Sequence, residues 1–243
     1  MKISIIIATY NSEEVIEKCL KSLVNQSCDL FEVIIIDGDS SDNTKKIIKN
    51  NNNIVSYFSS EPDSGIYDAW NKGLEVVSTD WVMFLGSDDI LVENSIEKYI
   101  DFLRLNESLE YVSAKSNLVD NEGKIIKVIG EKWRFSKFKR FMNVCHTSSI
   151  QRVSLFKKYG NFNSSYKIAG DYEFLLRPRK DLRAGFINYI MCDMRIGGVS
   201  NSMVKEVLRE SFLAKKNTGK VNIFLCVIDY FRAYLVNNFF IKN

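Results

Sequence analysis

The sequence is short of the residues that mark several common protein classes. It has one histidine, His146, and two prolines, Pro62 and Pro178, in 243 residues. Its five cysteines (Cys19, Cys28, Cys145, Cys192, Cys226) are odd in number and scattered, with no CxxC pair and no His/Cys cluster. That pattern gives no zinc site and reads as reduced thiols in a cytosolic compartment. No run of about 18 uncharged apolar residues offers a membrane span. Met1-Lys2-Ile3 runs into a strand-like segment without the layout of a signal peptide. No Gly-x-Gly-x-x-Gly follows the first strand-like run and no Gly-Lys-Ser/Thr loop occurs, so dinucleotide and P-loop readings lose their main support. There are no repeats at solenoid periods and no Pro/Ser-rich linker.

The chain is 46% hydrophobic and 26% charged, an ordinary globular composition and enough for one sizeable core. Its net charge of +3 conceals an asymmetry. Residues 124–158 hold ten Lys/Arg and one acid, Glu131, a local +9 that leaves −6 for the remainder. There Lys132, Arg134, Lys137, Lys139 and Arg140 are interleaved with Trp133, Phe135, Phe138 and Phe141. Such a mixture suits nucleic acid and equally an anionic lipid surface. Residues 221–241 are rich in Phe, Leu, Ile and Tyr, and Lys215, Lys216 and Lys220 precede them. Asp229, Arg232, Asn237 and Asn238 make this stretch costly as a membrane span. Two readings stay open for it: an amphipathic helix in a membrane interface, or a helix packed on the protein's own core.

The first half alternates strand and helix patterns. Residues 3–8, 31–36, 54–58 and 81–85 are short apolar runs typical of buried parallel strands. Ile16, Cys19, Leu20 and Leu23 recur at helical spacing, with Ser12 as a cap and Glu13 and Glu14 in the first turn. A second helix starts at Ser41 or Asp42 and ends in the asparagines at 50–53. Ile66, Trp70, Leu74 and Val77 mark a third, and residues 93–105 a fourth. This alternation predicts an α/β fold with a parallel sheet. The second half is less regular: residues 111–114 and 124–129 look like strands around a turn at Asn121-Glu122-Gly123, and 155–159 and 172–176 look helical.

Open α/β sheets bind ligands beyond the carboxyl ends of their strands. There the sequence places Thr9-Tyr10-Asn11, Asp37-Gly38-Asp39-Ser40, Glu61-Pro62-Asp63-Ser64-Gly65 and Gly86-Ser87-Asp88-Asp89. A single acid at such a place is as readily a helix cap. Several gathered at one edge repel each other unless a cation joins them, and magnesium typically uses one or two carboxylates plus substrate phosphates. The adjacent glycines allow close backbone approach, and the joint pattern favours a nucleotide-phosphate site.

These residues resemble the glycosyltransferase family 2 enzymes of the GT-A fold over roughly residues 1–200. Ser4 to Asn11 is similar to the family's opening strand, and Ile34 to Asp42 to its second-strand motif, usually two acids followed by Gly-Ser-x-Asp. Phe84 to Asp89 sits where the Asp-x-Asp metal motif belongs, and Ala169 to Glu173 where a Glu-Asp pair carries the base. Ser60 to Gly73 looks like a subgroup of bacterial enzymes that build O-antigen and capsule repeat units. Three glycines depart from the pattern: Gly38, Gly86 and Gly170 each stand where an acid is usual.

The resemblance implies a GT-A (Rossmann-like), mostly parallel central sheet with flanking helices and a C-terminal helical membrane-associating tail. It divides the chain into residues 1–203, with a nucleotide-sugar half to 115 and an acceptor and base half from 116, and an amphipathic tail at 204–243. It implies a metal-dependent, inverting transfer of glucose or galactose from a UDP-sugar, in β linkage, to a GlcNAc- or GalNAc-diphospho-undecaprenol acceptor. Thr9, Tyr10 and Asn11 would line the nucleoside, with Tyr10 stacking on the base. The uracil contact is Asp37 or Asp39, with Asp37 preferred. Asp63, Asp68 and Lys72 would face ribose, sugar or diphosphate. Asp88, with Asp89, would hold Mn²⁺ or Mg²⁺, and Asp171 would be the catalytic base. His146 and Arg177 are acceptor or diphosphate candidates, though a lone histidine is often structural and Arg177 fits a surface ion pair as well. The implied location is the cytoplasmic face of the bacterial inner membrane, with an anionic lipid surface rather than nucleic acid as partner. A nucleotidyltransferase would need a Gly-rich basic loop after the first strand, which is lacking. A catalytically weakened, carbohydrate-binding or assembly protein would draw on Gly86 and Gly170, against the retention of Asp88 and Asp171.

Overall fold

The computed structural model describes residues 1–196 and 203–240, with side chains to 236. The first half forms β1 (Ile3–Thr9), α1 (Ile16–Val24), β2 (Phe31–Asp37), α2 (Thr44–Asn50), β3 (Tyr57–Ser60), α3 (Ile66–Glu75), β4 (Trp81–Gly86), β5 (Ile90–Leu91) and α4 (Ser95–Arg104). The second half contributes β6 (Tyr111–Val119), β7 (Ile125–Ile129), α5 (Phe135–Phe138), β8 (Ser149–Arg152), α6 (Val153–Tyr159), α7 (Gly170–Leu176), β9 (Ala184–Arg195), α8 (Val204–Asn217) and α9 (Ile223–Phe240). One sheet runs β3-β2-β1-β4-β8-β6-β9-β5, with β7 paired to β6. The first four strands in this order are mutually parallel. Beyond them the sheet is mixed, because β8 enters antiparallel between β4 and β6.

β1 lies at the centre of the parallel part. Ile3, Ile5, Ile6 and Ile7 are completely buried, since both faces of a parallel strand are covered by crossover helices. Ile5 and Ile7 belong to the core under α1 and α4, and Ile6 to the core under α3, α6 and α7. Burying one such side chain contributes about 1.5–3 kcal/mol. The register sets the site: Ser60 aligns with Asp37 and Asp37 with Thr9, while Ala8 aligns with Gly86. The carboxyl ends of four strands therefore form one row.

Three local expectations shift. β3 starts at Tyr57, because the turn through the asparagines runs on to Ile54, whose N–H donates to Asn51 (3.2 Å). α1 begins at Ile16 and Ser12 does not cap it; the Ser12 hydroxyl instead pairs with Ser87 at 2.9 Å. β8 and β9 are not marked by the sequence pattern. β9 pairs parallel with β6 across register irregularities, which break the period-2 alternation that marks a strand.

Candidate active site

The β1 and β2 ends are fastened loop to loop. The Asn11 N–H donates to the Ser40 hydroxyl (2.8 Å), Asn11 Oδ1 accepts from the Ser41 N–H (2.9 Å), and the Ser12 N–H donates to the Thr44 hydroxyl (2.7 Å). Thr9 is buried at the end of β1, whereas Tyr10 projects into solvent, 65% exposed. Asp37, the preferred uracil contact, is fully buried. Its Oδ1 accepts from the Ser40 hydroxyl (2.5 Å), and its Oδ2 from the Ser40 N–H (2.9 Å) and the Ser60 hydroxyl (2.6 Å). It ties β2 to β3 and has no face toward a ligand.

The loop after β3 is braced by similar contacts. Asp63 Oδ1 accepts from the Gly65 N–H and Asp68 Oδ2 from the Ser64 N–H, both at 2.9 Å. Lys72 pairs with Glu61 at 2.9 Å and Asp68 at 3.9 Å, and these acids hold its ammonium pKa above the usual range. Lys72 thus braces the loop.

At the end of β4, Asp89 is buried and its Oδ2 accepts from the Gly86 N–H (2.9 Å). Burial and the neighbouring Asp88 charge raise its pKa to about 7. A Cβ on residue 86 would lie 2.7 Å from Asp89 Oδ2 and 2.9 Å from Asp88 Oδ1. The missing side chain thus leaves the space that these two carboxylates fill. No group of three or more His, Cys, Asp or Glu side chains able to hold a metal occurs among the described residues. Two convergent carboxylates under mutual repulsion fit a magnesium or manganese ion whose other ligands come from a diphosphate and water.

Asp171 opens α7. Its Oδ1 accepts from the Tyr172 N–H (2.8 Å) and lies 3.1 Å from the Tyr67 hydroxyl, which donates to the Ile168 carbonyl at 2.6 Å. Its Oδ2 has no hydrogen-bond donor among the described residues and stands 3.9 Å from His146 Nδ1. The buried His146 ring stacks on Phe84 (centroids 5.6 Å apart) and packs against Trp70, with neither nitrogen hydrogen-bonded. Burial lowers its pKa, against the opposing pull of Asp171, which favours the neutral imidazole. Phe84 lies two residues before Gly86, so this stack joins Asp171 to the β4 end. A Cβ on residue 170 would meet the Tyr67 ring at 2.8 Å; glycine there lets Tyr67 reach the acid.

Arg177, expected to contact acceptor or diphosphate or to form an ion pair, is bonded within the fold. Its Nε and Nη2 bind Glu173 (the shortest at 2.6 Å), and its Nη1 donates to the carbonyls of Tyr159, Gly160 and Asn161 at 2.8–3.0 Å. Every donor nitrogen is engaged within the fold. Sequence reading missed Glu210 on α8, 1% exposed. It accepts the N–H groups of Lys167 (2.7 Å), Ile168 (2.9 Å) and Ala169 (2.9 Å), the three residues leading into α7. The available signal was an acid one helical turn from buried Ala214.

Residues 4–160 match the family model Glycosyl transferase family 2. The chain belongs to that family. A PGL/p-HBAD biosynthesis glycosyltransferase of Mycobacterium tuberculosis is 30% identical over 220 residues, 85% of this chain and 82% of the relative. The UDP-Glc:alpha-D-GlcNAc-diphosphoundecaprenol beta-1,3-glucosyltransferase WfgD of Escherichia coli is 26% identical over 215 residues, 86% of this chain and 83% of the relative. Staphylococcus aureus TarS 1–349, solved in complex with UDP-GlcNAc, superposes with a TM-score of 0.73 at 20% identity, covering 98% of this chain and 73% of that one. The family 2 chain therefore has the fold expected of it, GT-A. No helix among the described residues is long and apolar enough to cross a membrane.

Proposed function

We propose that this family 2 enzyme transfers glucose or galactose from a UDP-sugar, with inversion, to GlcNAc or GalNAc on undecaprenyl diphosphate in O-antigen or capsule assembly. The observation that carries the reading is Asp171: one oxygen is anchored and the other is free, and the stack through His146 and Phe84 links it to the carboxylates after β4. In this reading Asp171 Oδ2 takes the proton of the acceptor hydroxyl as that oxygen attacks the anomeric carbon, a contribution of about 10²–10⁴-fold. Neutral His146 adds no competing positive charge to pair with the base. Asp88 and Asp89 would hold Mg²⁺ or Mn²⁺, which would neutralise charge on the departing diphosphate. A single displacement inverts the anomeric carbon, so an α-linked donor gives a β-linked product.

A lipid-linked acceptor accords with α9. This helix buries only a narrow stripe, Cys226 and Asp229 with Tyr230 and Ala233 half-buried, and leaves Phe224 (75%), Ile228 and Phe231 exposed. Buried Asp229 receives Arg140 through Nε (2.7 Å) and Nη2 (2.5 Å), and Lys215 at 3.3 Å. Those cations hold its carboxyl below the usual range. Arg140 is therefore a fastener rather than part of a docking surface, and Lys137 pairs with Glu131. Trp133 and Phe138 are core residues. The lipid-facing surface proposed here is the outer side of α9, placed at the cytoplasmic face of the inner membrane.

The test is turnover of a UDP-hexose panel on synthetic GlcNAc- and GalNAc-diphosphate lipids, with NMR of the product. The expected product is β-linked, and Asp171→Asn lowers kcat by about 10²–10⁴-fold with little change in KM for the donor. An α-linked product would sink the inverting mechanism.

A further inference from the structure

Three acids stand near the nucleoside end, and their surroundings differ. Asp37 is buried with both oxygens bonded. Asp39, at φ 63, pairs with Lys45 at 3.0 Å. Asp63 has one oxygen engaged, Oδ1 with the Gly65 N–H. Among the described residues no donor reaches its Oδ2. That oxygen lies 2.8 Å from where a Cβ would stand on residue 38, closer than side chains tolerate, and the Tyr10 ring lies 3.4 Å from the same point. Gly38 is the position where a second acid is missing from the β2 motif. Its bare backbone admits a carboxylate supplied from the loop after β3, directly beside the exposed Tyr10.

We infer that Asp63 reads the nucleobase of the donor, its Oδ2 accepting the ring N–H of uracil while Tyr10 covers the face of the base. The inference rests on the UDP-sugar reading above and goes beyond it by naming the residue that selects the base. An ionised carboxylate only accepts hydrogen bonds. Uracil presents an N–H at its imide nitrogen, whereas cytosine presents a lone pair there. The same oxygen therefore attracts one base and repels the other at that edge. Hydrogen bonds to charged groups set the size of the preference at about 10–100-fold in affinity.

Calorimetric titration of the full chain with UDP and with CDP, in magnesium, tests this on wild type, Asp63→Asn and Gly38→Ala. Wild type should bind UDP about 10–100-fold more tightly than CDP. Asp63→Asn should weaken UDP and shrink the UDP/CDP ratio to near unity, because an amide both donates and accepts. Gly38→Ala, which displaces the carboxylate without removing it, should shift the ratio the same way, and it carries the test if Asp63→Asn does not fold. A folded Asp63→Asn protein with the wild-type ratio overturns the inference and leaves the transferase reading intact. Failure of wild type to bind either nucleotide overturns the UDP-sugar reading and the inference with it.

Discussion

Asp37 and Asp171 are both acids at the end of an element, and they are held in opposite ways. Asp37 is fixed by Ser40, three residues on, and by Ser60 on the adjoining strand. The loops around it are tied to each other by Asn11, Ser41 and Thr44. Asp171 draws on Tyr67, 104 residues away, and the segment leading into it hangs on Glu210, 41–43 residues downstream. Thr218 adds a second link by donating to Glu173 on α7 (2.7 Å). The polar edge of β1–β3 is thus organised from within. The segment around Asp171 depends on α8, which the sequence suggested was part of an appended tail. Whatever α9 touches, α8 is part of the scaffold of the candidate base.

The sharpest way to break this comparison is at Glu210. Glu210→Ala would leave three N–H groups without their acceptor, that of Ala169 on a buried residue, a loss of about 1–3 kcal/mol. In the protein that remains folded, displaced Asp171 should lower kcat on the order of 10²-fold, with donor KM close to wild type because the β1–β4 edge is untouched. Glu210→Gln keeps an acceptor oxygen and should recover part of both losses. Urea unfolding and steady-state kinetics read the two effects separately. A rise in donor KM as large as the fall in kcat would mean that the halves are not independent.

The same contrast explains how much was legible in the sequence. β1, β2 and β4 and the row of residues after them follow from local patterns, because a buried parallel strand is a contiguous apolar run and its ligand-facing end is the next few residues. The base half is assembled from contacts between distant segments. β8 is four residues long, and β9 owes its place to pairing with β6, so neither declares itself by period. The resemblance pointed to Asp171, but beyond the one-turn spacing to Ala214 nothing local pointed to Glu210, and nothing to the Asp229–Arg140 pair. Composition also misled: Trp133, Phe138 and Arg140 looked like one basic aromatic surface, yet two face the core and one binds Asp229. The three glycines were read as lost acids. In three dimensions Gly38 faces Asp63, Gly86 faces Asp88 and Asp89, and Gly170 faces Tyr67, so each marks where a neighbour needs room.

A smaller effect is expected at α9, where the question is whether its outer face works apart from its inner one. Phe224 and Phe231 are 75% and 58% exposed, so replacing both with Glu should leave unfolding free energy nearly unchanged. If the helix lies in a lipid interface, each Phe contributes about 1.5–3 kcal/mol there, and the double variant should lose co-sedimentation with anionic vesicles more than tenfold. Turnover on a water-soluble acceptor should persist. Equal vesicle binding by wild type and variant would remove α9 from the membrane proposal.

The smallest effect concerns His146, which couples the two halves through Phe84 and Asp171. Burial lowers its folded pKa below the ordinary value of 6.5, with the Asp171 carboxylate pulling the other way. The folded protein therefore binds fewer protons at this site than the unfolded chain. Stability from the neutral ring is complete above 6.5 and declines as pH falls from there through the folded pKa. One proton sets a ceiling of about 1.4 kcal/mol per pH unit on the slope. Urea unfolding at pH 7, 6 and 5 should show wild type losing stability more steeply than His146→Phe, which keeps an aromatic ring against Phe84 and Trp70 but does not titrate. Parallel slopes would mean that Asp171 fully offsets the burial of His146, so that the ring has the same pKa in the folded and unfolded chain.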